Sequence, residues 1–165
     1  MIEYVRDLLA HCEWANAVFF HAWDKSPARD YEEMRRRVGH LVGVQAGFLA
    51  VLRGDTPGGP KDGPPPEFDA LKARAQASHA GLRELAIDLD LVGLSRTVRI
   101  PWFPDPPCVI RVDEALVQVA MHSQHHRGQL MTRLKDFGGE PKNVDWIIWL
   151  WKGRPQARWG PAEPR

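Results

Sequence analysis

Residues 113–137 read DEALVQVAMHSQHHRGQLMTRLKDF, and this stretch decides the fold class. Leu116, Ala120, Leu130, Leu134 and Phe137 recur at the spacing of one helix face, opening at Asp113. Gly138-Gly139 followed by Pro141 stops the helix firmly. Upstream, Phe68, Leu71, Ala75, Leu82, Leu85 and Leu89 form a second such stripe, predicting a helix over 67–89 that starts after Pro64-Pro65-Pro66, with Pro66 tolerable in its first turn. Before that, a helix over 30–53 is expected, with Asp30 and Glu33 as a capping-box-like pair and Gly54 past its end. A further helix over 2–24 carries Ile2, Val5, Leu9, Cys12, Val18 and Phe19 and stops near Ser26-Pro27. The expectation is an all-α four-helix bundle.

Two connections carry information. Residues 54–66, GDTPGGPKDGPPP, are too rich in proline and glycine for regular structure. Fully extended, they reach roughly 43 Å, and a 24-residue helix is roughly 36 Å long. The linker can therefore cross the whole bundle and leave the second and third helices parallel, although a short turn is equally legal. Between the third and fourth helices, 94–100 and 108–112 read as short strands around PWFPDPP, a small β-hairpin flap. After Pro141, NVDWIIWLW reads as a short aromatic helix, and residue 154 onward as a loose tail. Residues 1–153 form one expected domain.

The chemistry concentrates in HSQHHRGQ at 122–129. His122 and His126 are four residues apart, so both project from one helix face, one turn apart. That spacing lets two imidazoles share an ion. The same pattern is also compatible with a solvated polar stripe. His125 points about 100° away from His126. A third ligand must come from another helix, and His40 and His79 are the candidates. His40 lies in the most apolar part of its helix, where an unpaired imidazole is costly. At 1.5 Å per residue, His40, His122 and His126 all fall near mid-height, whichever way the helices run. His79 lies near the buried stripe of the third helix, so core and ligand roles both stay open. His11 and His21 look peripheral.

WAN at 14–16, HLVGVQAGFL at 40–49, HSQHHRGQ at 122–129 and G-G-x-P-x-x-x-D at 138–145 occur in an order and at intervals that resemble the DinB/YfiT-like family. The resemblance spans most of the chain. It implies an up-down-down-up bundle with a long crossover, often a homodimer. It also implies one divalent metal on His40, His122 and His126, commonly zinc or nickel, with iron or manganese as further options. One departure stands out: where many relatives carry an acidic residue five positions after the helix-two histidine, this chain has Gln45, which cannot serve as a general base.

Three neutral histidines leave a coordination position for water or substrate. An ion there lowers the pKa of a bound water or thiol. Asn16, Gln45, Gln129 and Asp145 are candidates to orient the imidazoles, as metal-bound histidines require; each could equally be a surface or capping group. Trp102 and Phe103, with Trp146 and Trp149, are candidates to wall an apolar pocket. Gly39, Gly43 and Gly47 each cost about 1 kcal/mol in a helix, which points to a close-packed helix or an approaching ligand. The family resemblance suggests a metal-dependent transferase using a low-molecular-weight thiol as cosubstrate. A metal-assisted hydrolase and a non-catalytic metal-binding stress-response protein are the alternatives.

The bulk properties narrow the classes further. At 165 residues the chain fits one domain with a real core. A net charge of +1 supplies no field to gather nucleic acid or an acidic membrane. No stretch approaches the ~20 apolar residues of a membrane span. Residues 38–52 come closest but are shorter and hold His40, three glycines and Gln45. The charged N-terminus does not read as a signal peptide. Cys12 and Cys108 form no paired motif, which suits a reducing cytoplasmic compartment. Cys12 is expected to be a small buried hydrophobe.

Overall fold

A computed structural model describes residues 2–59 and 63–160. Four long helices form the body: α1 (Ile2–Asp24), α2 (Glu32–Arg53), α3 (Phe68–Asp88) and α5 (Val112–Asp136). A short helix α4 (Leu91–Ser95) and an antiparallel hairpin of β1 (Thr97–Ile100) and β2 (Cys108–Arg111) join α3 to α5, and α6 (Trp146–Trp151) follows. No described helix is long and apolar enough to cross a membrane.

The linker crosses the bundle. Arg35 pairs with Glu67 near the start of α3, Gly39 faces Leu71 and Gly81 faces Leu49, and Arg53 reaches Glu84 at 3.2 Å. Residue numbers rise together, so α2 and α3 run parallel. Across α1 and α3 they run oppositely, from Arg6 on the Ala86 carbonyl to Asn16 on His79. The α2–α5 pair is also antiparallel, from Glu33–Arg133 to Gln45–Ser123. The topology is up-down-down-up.

Local chemistry moves some boundaries. Asp30 does not cap α2. It ends a 3-10 turn over Pro27–Asp30 that Ser26 caps, and Tyr31 sits at the N-cap of α2 without a side-chain bond. Proline at the first position of that turn fixes φ and tightens the entry before α2 can begin. Pro66 likewise stays outside α3, where Glu67 is the N-cap. Gly54 ends α2 at φ +84°, the left-handed conformation a C-terminal glycine supplies. The stretch before the hairpin, expected to be strand from residue 94, turns first through α4, because the Asp90 side chain accepts from the Gly93 N–H and nucleates a turn.

Residues 154–160 are not loose. The Trp149 indole donates to the Pro155 carbonyl at 3.0 Å, Arg154 pairs with Asp7, and the Trp159 indole reaches Glu13. Trp159 packs on Phe20 and His79. Apolar aromatic area outweighs the entropy of ordering this strap. The expected tail beyond 160 lies outside the described residues, as do linker positions 60–62.

The core is split. One apolar cluster gathers Phe19, Phe20, Trp23, Met34, Phe68, Leu130, Leu134 and Trp149; the other gathers Val5, Leu9, Phe48, Leu52, Leu82, Leu116 and Val119. At the level of Cys12 and Asn16 on α1, between the sequence positions that feed the two clusters, lies a buried polar layer that also holds Gln45, His79, Ser123 and Arg127.

Candidate metal centre

His40 on α2 and His122 and His126 on α5 converge as their shared depth predicts. Their ring centroids are 5.3 Å (His40–His122), 4.7 Å (His40–His126) and 4.3 Å (His122–His126) apart. One nitrogen from each lies within 4.8 Å of the others. The antiparallel α2–α5 register brings this about, and the four-residue spacing on α5 stacks two rings on one face. His40 is exposed and the other two are half-buried, so the cluster sits at the edge of the bundle. The apolar surroundings expected for His40 belong to the opposite face of α2.

The electrostatics keep the two α5 rings neutral. Desolvation lowers His122 to about 4, and its histidine neighbours add to the effect. Desolvation also lowers His126, against the opposing effect of the hydrogen bond it donates to Gln129. Neutral imidazole is the form that ligates a metal. Gln129 Oε1 lies 2.9 Å from His126 Nδ1 and accepts its proton, which turns Nε2 of that ring into the free lone pair. The buried Nδ1 of His122 has no hydrogen-bond partner among the described residues, a deficit that a coordinated cation would remove. Three converging imidazoles, two of them held neutral by desolvation, with an unsatisfied nitrogen fit a divalent metal ion.

The other candidates fall elsewhere, Gln129 excepted. His125 is exposed and bonds the Gln129 amide at 3.0 Å; it is outside the cluster. His79 is a core residue whose Nε2 accepts from Asn16 Nδ2 at 2.9 Å. Asn16 Oδ1 in turn accepts from Arg127 at 2.8 Å, so Asn16 belongs to the polar layer and touches no ligand. Gln45 is fully buried there too, donating to Ser123 Oγ at 2.9 Å. The chain thus places its neutral amide behind the ligands, beside Cys12, which is free and buried as expected. Asp145 is the N-cap of α6 without a side-chain cap bond. Trp146 and Trp149 surround His11, whose Nε2 meets the Val144 carbonyl at 2.8 Å. His11 is therefore buried, not peripheral, and the two tryptophans wall no pocket with the hairpin.

Trp102 stays near the α2 face. It packs on Phe48, with its ring 3.8 Å from where a Cβ on Gly47 would sit. Gly39 meets only Leu71, and nothing fills the space at Gly43. The glycines therefore admit side chains rather than a second backbone.

Arg127 was missed. It is 1% exposed and bonds Asn16 and Gln124. Its place seven residues after Ala120 and three before Leu130, on the apolar face of α5, was the available signal. Arg36 and Arg37 were also missed. With His40, His126, Gln129 and Leu130 they line a cavity of about 230 Å³ beside the histidines.

A family description, the DinB superfamily, matches residues 5–130. The chain belongs to the DinB superfamily. The matched region contains all three clustered histidines and ends inside α5. No curated protein and no solved structure matches the chain.

Proposed function

We propose that this DinB-superfamily protein is a metal-dependent enzyme that holds one divalent ion, zinc or nickel, on His40, His122 and His126. One observation carries the reading: three imidazole nitrogens within 4.8 Å of one another at an accessible edge of the bundle, with no carboxylate or sulfur from the described residues in the cluster. When bound, the ion supplies Lewis acidity that lowers the pKa of a thiol or water at its open position. The chain's own residues do the rest. Gln129 fixes the tautomer of His126. The buried Gln45–Ser123 bond holds α2 against α5 and so sets the distance between His40 and the other two rings. The substrate class favoured is a low-molecular-weight thiol that is transferred to a second small molecule, with metal-assisted hydrolysis as the neighbouring chemistry. The same reading makes the protein a cytoplasmic homodimer with neither nucleic acid nor membrane as partner.

A second reading, a metal-binding stress-response protein without turnover, is favoured by one feature. No aspartate or glutamate lines the cavity, and Gln45 faces the core. The test begins with elemental analysis of the purified protein, where one equivalent of metal is expected. Thiol conjugation to a panel of electrophiles is then compared between the unmutated protein and His122→Ala. Turnover only in the metal-loaded, unmutated protein supports the enzyme. One equivalent of metal with neither conjugation nor hydrolysis supports the binding protein.

A further inference from the structure

The cavity beside the histidines is chemically lopsided, and the lopsidedness names a ligand class. Its lining brings His40 and His126 together with two guanidinium side chains, Arg36 and Arg37, and includes no carboxylate. Arg36 and Arg37 precede His40 by four and three residues, which puts them one turn away along the same side of α2. On the other side of the site the charges vanish. Residues 41–52 of α2 and 115–126 of α5 contain no Asp, Glu, Lys or Arg, and the Gly47–Trp102 contact two turns further along α2 is neutral too. A molecule lying across the site would meet cationic side chains at one end only.

The arginines already have partners, Glu32 at 2.6 Å and Glu33 at 3.0 Å. Both pairs are i,i+4 contacts on the helix surface, with side chains 44–63% exposed. Such pairs contribute little and are screened by solvent. Glu33 is divided further, because Arg133 reaches the same oxygen at 3.3 Å. Either guanidinium can therefore turn toward a better oxyanion. Guanidinium binds carboxylates through two parallel N–H donors, which an ammonium cannot match.

We propose that the site selects acidic thiols: small molecules whose sulfur enters the open coordination position and whose carboxylate is held by Arg36 and Arg37. This rests on the reading of the histidines as a metal centre.

The experiment uses cobalt-loaded protein and two thiols of nearly equal size, 3-mercaptopropionate and 3-mercaptopropan-1-ol, titrated against the cobalt absorption spectrum. The acid binds on the order of tenfold tighter than the alcohol, and the preference shrinks as salt is raised. The double variant Arg36→Gln/Arg37→Gln binds cobalt normally, keeps its affinity for the alcohol and loses the preference. The Arg36→Lys/Arg37→Lys variant retains part of it. Equal affinity for the two thiols, or a preference that survives the glutamine variant, overturns acid selection while leaving the metal centre standing. No spectral change with either thiol overturns thiol entry at the open position, and acid selection with it, while failure of the protein to take up cobalt overturns the metal centre itself. Cobalt content and helical circular dichroism of each variant establish that it is folded and loaded.

Discussion

At the residue scale, the centre is a set of unequal histidines, and geometry rather than sequence spacing ranks them. His40→Ala, His122→Ala and His126→Ala should each abolish tight binding, because two imidazoles leave a weak chelate. His125→Ala should keep one equivalent of metal, since that ring turns away from the cluster and meets only Gln129 and the edge of His126. Inductively coupled plasma analysis of the purified variants checks the ranking, and loss of metal in His125→Ala with retention in His126→Ala would reverse the assignment. Gln129→Ala removes the acceptor for His126 Nδ1. Loss of such an orienting partner typically costs 10–100-fold in metal affinity, so competition with a chelator should show a weakening of about that size with stoichiometry intact.

Elements decide which of these effects stay local. The histidines depend on α2 and α5, whereas the C-terminal strap docks on α1 and α3 through Trp159, Arg154 and Asp7. Trp159 is only partly buried, so Trp159→Ala should destabilise by roughly 2 kcal/mol, less than the 3–5 of a fully buried tryptophan. Metal stoichiometry should be unchanged. Urea melts and metal analysis of the same preparation test the separation; a strap variant that lost its metal would show that the two faces are coupled through the polar layer.

For the whole molecule, acid and chelation act on different parts. His79 has an ordinary pKa near 6.5 and is held down to about 4 by burial. As pH falls below about 6.5 the unfolded chain takes up this proton first. Stability is therefore complete above that pH and is lost progressively down to about 4. At about 1.4 kcal/mol per unit, His79 alone accounts for a loss on the order of 3 kcal/mol. His11, His122 and His126 are shifted in the same direction, in each case by desolvation first. Denaturant melts of metal-free protein from pH 7.5 to 4 should show this decline, and His79→Gln should flatten part of it.

Chelation at neutral pH should leave helical circular dichroism unchanged, because both apolar clusters form without the three clustered histidines. Bound metal adds roughly 3–4 kcal/mol at 100 to 1,000 times its dissociation constant. Unfolding on chelation would mean that the ion is structural.

The amphipathic periods of α1, α3 and α5, the stops at Gly54 and Gly138, and the H-x-x-x-H pair on α5 were legible in the sequence, because each follows from spacing along one helix. The linker's proline content showed that it was able to cross the bundle, but not that it did. The parallel α2–α3 register, which the Arg35–Glu67 and Arg53–Glu84 pairs record, came from packing between helices. So did the sorting of the amides. Asn16, Gln45 and Gln129 look alike in sequence, yet two are buried in a layer anchored by Arg127 and one meets His126. A helix fixes only the direction of a side chain relative to its own axis; what that side chain meets depends on how four axes are rotated against each other. That rotation is set by the total burial of four apolar faces at once, a sum over contacts distant in the chain. It is why His40 could be placed at the right height by counting residues, while its exposure, and the arginines beside it, emerged only from the tertiary structure.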